Sequence, residues 1–158
     1  TLAETLGLCD GLLHLQFICD DERVWWIEPA RRCPGDLYSQ LIELSYGPGY
    51  VDRYLAGFLG SAPAANTVKP PRPVLRHTLS CPAGEAFEGL EYSPPAPLRR
   101  FVPLMVPGQA AGEQPRRAGI GFYEFESREA LMQTVARARQ GQGFATAPVD
   151  SHEEPNPA

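Results

Sequence analysis

Two apolar runs rich in β-favouring residues, Leu12–Cys19 and Val24–Pro29, flank the polar tetrad Asp20-Asp21-Glu22-Arg23. Run, turn and run predict an antiparallel hairpin, although no Asn-Gly or Asp-Gly pair fixes the turn type. Side chains of a strand alternate between its two faces. One face then carries Leu13, Leu15, Phe17 and Cys19 with Trp25 and Ile27, a continuous apolar surface that needs cover from a helix or another sheet. The other carries Leu12, His14, Gln16 and Ile18 with Val24, Trp26 and Glu28. A turn with an odd number of residues centred on Glu22 sets Gln16 directly opposite Glu28, Cβ atoms ~5 Å apart. An even turn shifts the pairing.

The remaining elements follow from spacing and punctuation. Leu2–Leu8 reads as the last turns of a helix closing at Gly7, and Thr1 is not a methionine, so the chain is expected to be a fragment. Leu37, Leu41 and Leu44 recur at helical spacing after Asp36, whose carboxylate suits an N-cap. Tyr46-Gly47-Pro48-Gly49 breaks that helix, and Val51, Tyr54, Leu55 and Phe58 predict another ending at Gly60. Ser61–Pro73 is rich in Pro, Ala and Asn and reads as a linker. Strand candidates follow at Val74–Ser80, Glu85–Tyr92, Leu98–Val106 and Ala118–Glu126. Ser127 should cap a helix through Arg139 that buries Ala130, Leu131, Thr134, Val135 and Ala138. From Gly141 the chain turns polar, acidic and Pro-containing, the composition of a disordered tail. The expected class is α+β: a hairpin-and-helix domain over 1–60, a linker over 61–73, a small lobe over 74–140 and a tail over 141–158. No internal repeat is present.

Chemistry concentrates on the mixed face of the hairpin. Gln16 and Glu28 side by side, followed by Arg31, Arg32 and Asp36, suit a magnesium–phosphate site. Mg²⁺ takes oxygen ligands, commonly one or two carboxylates completed by phosphates and water. The planar fork of arginine holds phosphate oxygens or a substrate carboxylate. The plainer alternative is that Glu28 is a strand-end carboxylate paired with Arg31 or Arg32. His14 is either a lining residue of such a site or a sheet histidine satisfied by its neighbours. Trp25 reads as core, and Trp26 as core or a pocket wall.

Composition removes other classes. The formal charge is −5, and Lys69 is the lone lysine beside thirteen arginines. An acidic chain is a poor partner for nucleic acid, whose affinity comes from cationic side chains. No run approaches the ~18 apolar residues of a membrane span, and no signal-peptide pattern occurs. Cys9, Cys19, Cys33 and Cys81 form no CxxC pair, so free thiols in a reduced, cytoplasmic setting are expected, with disulfides as the alternative. No two His or Cys residues have zinc-ligand spacing.

His14-Leu15-Gln16-Phe17, with Trp26-Ile27-Glu28-Pro29-Ala30-Arg31-Arg32-Cys33-Pro34-Gly35-Asp36-Leu37-Tyr38, resembles the end of the catalytic domain of ATP-grasp ligases. There one strand carries an acidic metal ligand and the next a Glu within a Glu-x-Asn-x-Arg pattern, followed by a substrate loop and helix. The resemblance puts Gln16 at the first metal position, Glu28 at the metal-bridging one and Arg32 at the arginine that stabilises the transferring phosphate. Gly35 and Asp36 fall where substrate-contacting residues lie. Leu41–Gly47 looks like the helix that follows the site, and Val74–His77 with Arg117–Phe122 looks like the C-terminal β-rich lobe. Two positions depart from the pattern: Gln16 offers a carbonyl but no charge, and Ala30 offers no ligand where the family has Asn. The likeness covers the first sixty residues well and is loose beyond Pro73.

What the resemblance implies is an ADP-forming carboxylate–amine ligase using ATP and Mg²⁺. ATP phosphorylates a small carboxylate, and an amine displaces phosphate from the acyl phosphate to leave an amide. Arg32 would stabilise the transferring phosphoryl group and Arg31 would orient the acid. The partner implied is an N-terminal, lysine-bearing nucleotide-binding half, without which the chain should bind Mg·ATP weakly and turn over none. The competing class is a non-catalytic interaction or scaffold domain that keeps the hairpin for packing alone.

Overall fold

The computed structural model describes residues 1–9, 11–62, 70–92 and 97–147, and it is mixed α+β with antiparallel sheets. The chain divides into two compact units, Thr1–Pro71 and Arg72–Ala158.

The first unit opens with a single helical turn, α1 (Leu2–Thr5), closed by a capping box between Thr1 and Glu4. The hairpin follows as β1 (His14–Cys19) and β2 (Val24–Ala30). Its turn is even, four residues from Asp20 to Arg23. Asp20 fixes it by accepting from the backbone N–H of Glu22 at 2.9 Å and Arg23 at 2.8 Å through one carboxylate oxygen. An aspartate so placed imitates a backbone turn and needs no glycine. Pairing from that turn runs Cys19 with Val24, Ile18 with Trp25 and Phe17 with Trp26. The register then shifts between Gln16 and Phe17, leaving Ile27 as the extra residue of a β-bulge, and resumes with Gln16 opposite Glu28 and His14 opposite Ala30. Even turn and bulge together restore the pairing that an odd turn alone would have given.

The bulge also corrects the face assignment of the outer half. Trp26 stands with Phe17, and Trp25 with Ile18, the reverse of simple alternation along β2. Both sides of this outer hairpin are open: Phe17 and Trp26 are 52% and 60% exposed on one, Ile18 and Trp25 60% and 45% on the other. Trp25, expected in the core, is instead exposed beneath the Arg23 guanidinium, 5.6 Å from its ring.

Two helices follow, α2 (Tyr38–Tyr46) and α3 (Tyr50–Ala56). Gly47, at φ 96°, ends α2, and Gly49, at φ 105°, starts α3 without a side chain able to cap it. Glu43 of α2 takes over that task, accepting from Val51 N–H at 3.2 Å and tying the helices together. The helix of α3 stops at Ala56, and turns carry the chain to Gly60.

The second unit is built on a three-stranded sheet ordered β3 (Val74–Cys81), β8 (Arg116–Glu124), β6 (Leu98–Pro103). Two short ladders flank the chain path: β4 (Ala86–Phe87) with β7 (Gln109–Ala110), and β5 (Gly89–Tyr92) with β9 (Phe144–Ala147). The central strand β8 is buried from Ala118 to Tyr123. Gly119 and Gly121 lie on one of its faces, where the rings of Phe101 and Tyr123 occupy the space a β-carbon would need. Cys81, Phe87, Met105 and Ala118 form a core cluster with Phe101 and Leu90 packed against it. All four cysteines are free thiols.

Ser127 caps α4 (Arg128–Arg139) by accepting from Ala130 N–H at 3.1 Å, and the five residues expected on its inner side are its least exposed. Thr134, the most buried, donates its hydroxyl to Ala130 O at 3.0 Å, so no polar group is left unpaired there. The tail expectation is corrected up to Ala147. Residues 144–147 form β9, and the Phe144 ring stacks on His77 at 4.4 Å and tilts against Tyr123 at 4.9 Å. An aromatic anchor outweighs the polar composition around it. Residues 148–158, like most of the expected linker, lie outside the described residues.

Candidate functional site

In the first unit, the inner hairpin, the loop after β2 and the first turns of α2 surround a cavity of ≈ 530 Å³, within the usual range for small-molecule sites. His14 and Gln16 reach it from β1 and Glu28 from β2. Pairing explains this: Gln16 with Glu28, and His14 with Ala30, are successive pairs on the same face.

The loop contributes Arg32, Pro34, Gly35 and Asp36, and α2 contributes Tyr38 and Ile42, one turn apart. Arg32 is exposed, and its Nη1 donates to Cys33 O at 3.2 Å, which folds the guanidinium over its own loop. Cys33 contacts Tyr50 at the start of α3, and burial first, then this thiol, push the Tyr50 hydroxyl above its ordinary range. The loop is thus fastened at its middle to the second helix.

Asp36 is not the N-cap that its position suggested. That position belongs to Leu37, which makes no side-chain capping bond, and both residues adopt left-handed backbone conformations, φ 56° and 62°. Asp tolerates this region; Leu does so at a cost of roughly 1–2 kcal/mol. Two such residues in succession persist only where surrounding structure imposes them. Here they turn the chain sharply after Pro34-Gly35, so that Asp36 lines the cavity and α2 begins beside it. The positive end of the α2 dipole therefore borders the same space as Arg32, a setting that favours anions.

No protein-family model matches this chain, and no curated protein matches it.

Of the six site residues singled out in the sequence, Gln16, Glu28, Arg32, Gly35 and Asp36 line this one cavity, and Arg31 does not. Its guanidinium lies toward Gly11 instead, with Nη2 at 2.7 Å from where a β-carbon on that glycine would sit. His14, left open between two readings, lines the cavity, and its Nδ1 is buried with no hydrogen-bond partner among the described residues. Tyr38 and Ile42 were not singled out; their i, i+4 spacing after Asp36 is the signal that would have found them.

Among the described residues no group of three or more His, Cys, Asp and Glu side chains is placed to hold a metal ion.

Proposed function

We propose that this cavity is the cation- and phosphate-binding part of an ADP-forming carboxylate–amine ligase of ATP-grasp type. The observation that carries the reading is the placement of Gln16 directly opposite Glu28, over one cavity that also receives Arg32 and Asp36. Glu28 supplies a charged oxygen donor and Gln16 a neutral carbonyl, a donor set that fits Mg²⁺ accompanied by ATP phosphates. The bound cation would neutralise charge on the phosphoryl group in transfer.

Arg32, which lines the same cavity, would turn its fork to that group and add electrostatic stabilisation in the transition state. Asp36 and Gly35, beside the dipole of α2, take the small substrates. Arg31, turned toward Gly11, has no part in this reading. In the reaction, the carboxylate oxygen attacks the γ-phosphorus and ADP leaves; the amine then displaces phosphate from the acyl phosphate, leaving an amide.

The test is acid-dependent ADP release by the intact protein across a magnesium titration. Glu28→Gln removes the charged donor of the Gln16–Glu28 pair and should lower turnover by ~10²–10³. Gln16→Ala removes a neutral donor that water can replace, and should cost less. Near-normal turnover of Glu28→Gln at saturating magnesium would make Glu28 a structural carboxylate and end the proposal.

A further inference from the structure

The cavity has two unlike walls. Gln16 and Glu28 form a polar one on the hairpin, where Arg32 also enters, and Tyr38 and Ile42 form the other on α2. Residues four apart on a helix lie one above the other on the same face, so the ring and the branched side chain make a continuous strip, which Pro34 extends from the loop. Tyr38 is 46% exposed, so its ring is open to a ligand. Phosphoryl transfer engages the polar wall and leaves the strip without a task. Small-molecule sites hold the body of a ligand on such apolar surface and orient it with a few polar groups.

Charge limits what can lie between the walls. Among the described residues lining the cavity, Arg32 is the sole lysine or arginine, against two carboxylates, Glu28 and Asp36. Glu28 holds the cation in the proposed reaction; Asp36 has no such role. One carboxylate of a ligand can be met by the cation and Arg32. A second would find no cationic side chain and would share the cavity with Asp36, where water screens charge less than in bulk. Repulsion of this kind turns away a competitor of similar shape.

We infer that the acid activated here is a small monocarboxylate with an apolar body, held by Tyr38 and Ile42, and that Asp36 excludes acids carrying a second carboxylate. This rests on the proposed function for the ligand being the acid to be phosphorylated. The strip is assigned to the acid because its oxygen must reach the phosphorus beside the cation and Arg32, in the one cavity that Tyr38 and Ile42 also line. Each methylene taken out of water is worth roughly fourfold in affinity. Burial of half the extra methylenes of hexanoate over acetate therefore gives about tenfold or more.

The experiment titrates the full chain, ¹³C-labelled at its isoleucine methyls, in excess Mg²⁺ at constant ionic strength. The chain has four isoleucines. Ile42→Val identifies the Ile42 signal by its loss, and Ile120, in the second unit, is the reference. The probes are acetate, hexanoate, adipate, which adds a second carboxylate to the same carbon chain, and hexylamine, which carries an ammonium group on a similar body. Hexanoate should shift the Ile42 methyl and bind about tenfold or more tightly than acetate or adipate. Tyr38→Ala should bring hexanoate close to acetate, whereas Tyr38→Phe keeps the preference, since the ring and not the hydroxyl makes the strip. Asp36→Asn should narrow the gap between hexanoate and adipate; Asn tolerates the left-handed backbone, φ 56°, at this position. Should Tyr38→Ala fail to fold, the probe series on the parent chain and on Asp36→Asn decides alone. Hexanoate that leaves Ile42 unmoved, or binds no better than acetate or adipate, overturns the inference. So does tighter binding of hexylamine, which would give the strip to the amine. The proposed function fails separately, through near-normal turnover of Glu28→Gln, a result that this titration does not touch.

Discussion

Gly119→Ala should destabilise the second unit although it adds a single methyl group. A β-carbon there would overlap Cζ and Cε2 of Phe101 and stand 3.0 Å from the carbonyl oxygen of Val102. Carbon–carbon contacts are comfortable at ~3.5–4.0 Å, so the ring must move by more than an ångström. Val102 belongs to β6, which is hydrogen-bonded to β8, so the backbone on that side cannot simply retreat. Overpacking of this kind costs ~1–3 kcal/mol, offset by at most ~0.8 kcal/mol from the newly buried methyl. The net loss is about 1–2 kcal/mol, on the order of 5–15 °C in Tm for a unit of this size. Hydrogen exchange at the amides of Ile120 and Phe122 reads the unit directly, and urea titration gives the free energy. In a Phe101→Ala background only the 3.0 Å contact with the Val102 carbonyl remains, and the same substitution should cost less than half as much. A Gly119→Ala protein as stable as its parent, or one equally destabilised with and without the Phe101 ring, would refute the reasoning.

Ser127→Ala removes the bond to Ala130 N–H and should cost about 1 kcal/mol, seen as a lower urea midpoint of the second unit with an unchanged slope. His77 is held below its ordinary value of 6.5, first by burial and then by the Arg76 charge, so the folded state binds its proton less readily than the unfolded chain does. Its contribution is present above pH 6.5 and is lost as pH falls through the lowered folded value. The parent chain should therefore lose more stability between pH 7.5 and 5 than His77→Phe, and parallel pH profiles for the two would contradict this.

The elements fixed by local chemistry were legible in the sequence. Ser127 with its helical spacing gave α4 and its buried side, and two β-favouring runs gave the hairpin. The cavity lining was legible too, because alternate residues of a strand share a face and a loop stays near the strand end it leaves. The rest depended on interactions that spacing does not encode. Whether Asp20 closes a four-residue turn, and whether Ile27 is then left over, is decided by hydrogen bonds that only the folded ladder forms. Leu37 in a left-handed conformation runs against its own preference and is imposed by the turn around it. The strand at Phe144 owes its existence to His77 and Tyr123, two aromatic partners distant in sequence, while its neighbours in the chain are those of a tail.

The leftover residue in the hairpin has a consequence for how this segment can vary. Below Ile27 the pairs His14–Ala30 and Gln16–Glu28 keep one parity; above it, Phe17–Trp26, Ile18–Trp25 and Cys19–Val24 keep another. A bulge is a place where a ladder can absorb one residue without passing the slip along. Lengthening or shortening the Asp20–Arg23 turn by one residue would turn the tryptophans to the opposite sides of the ribbon and still leave the cavity pairs in register, provided the bulge is gained or lost to match. The tip is then free to drift while the cavity floor stays constant. Two tryptophans and a carboxylate only a residue or two apart in the chain can answer to different selective demands.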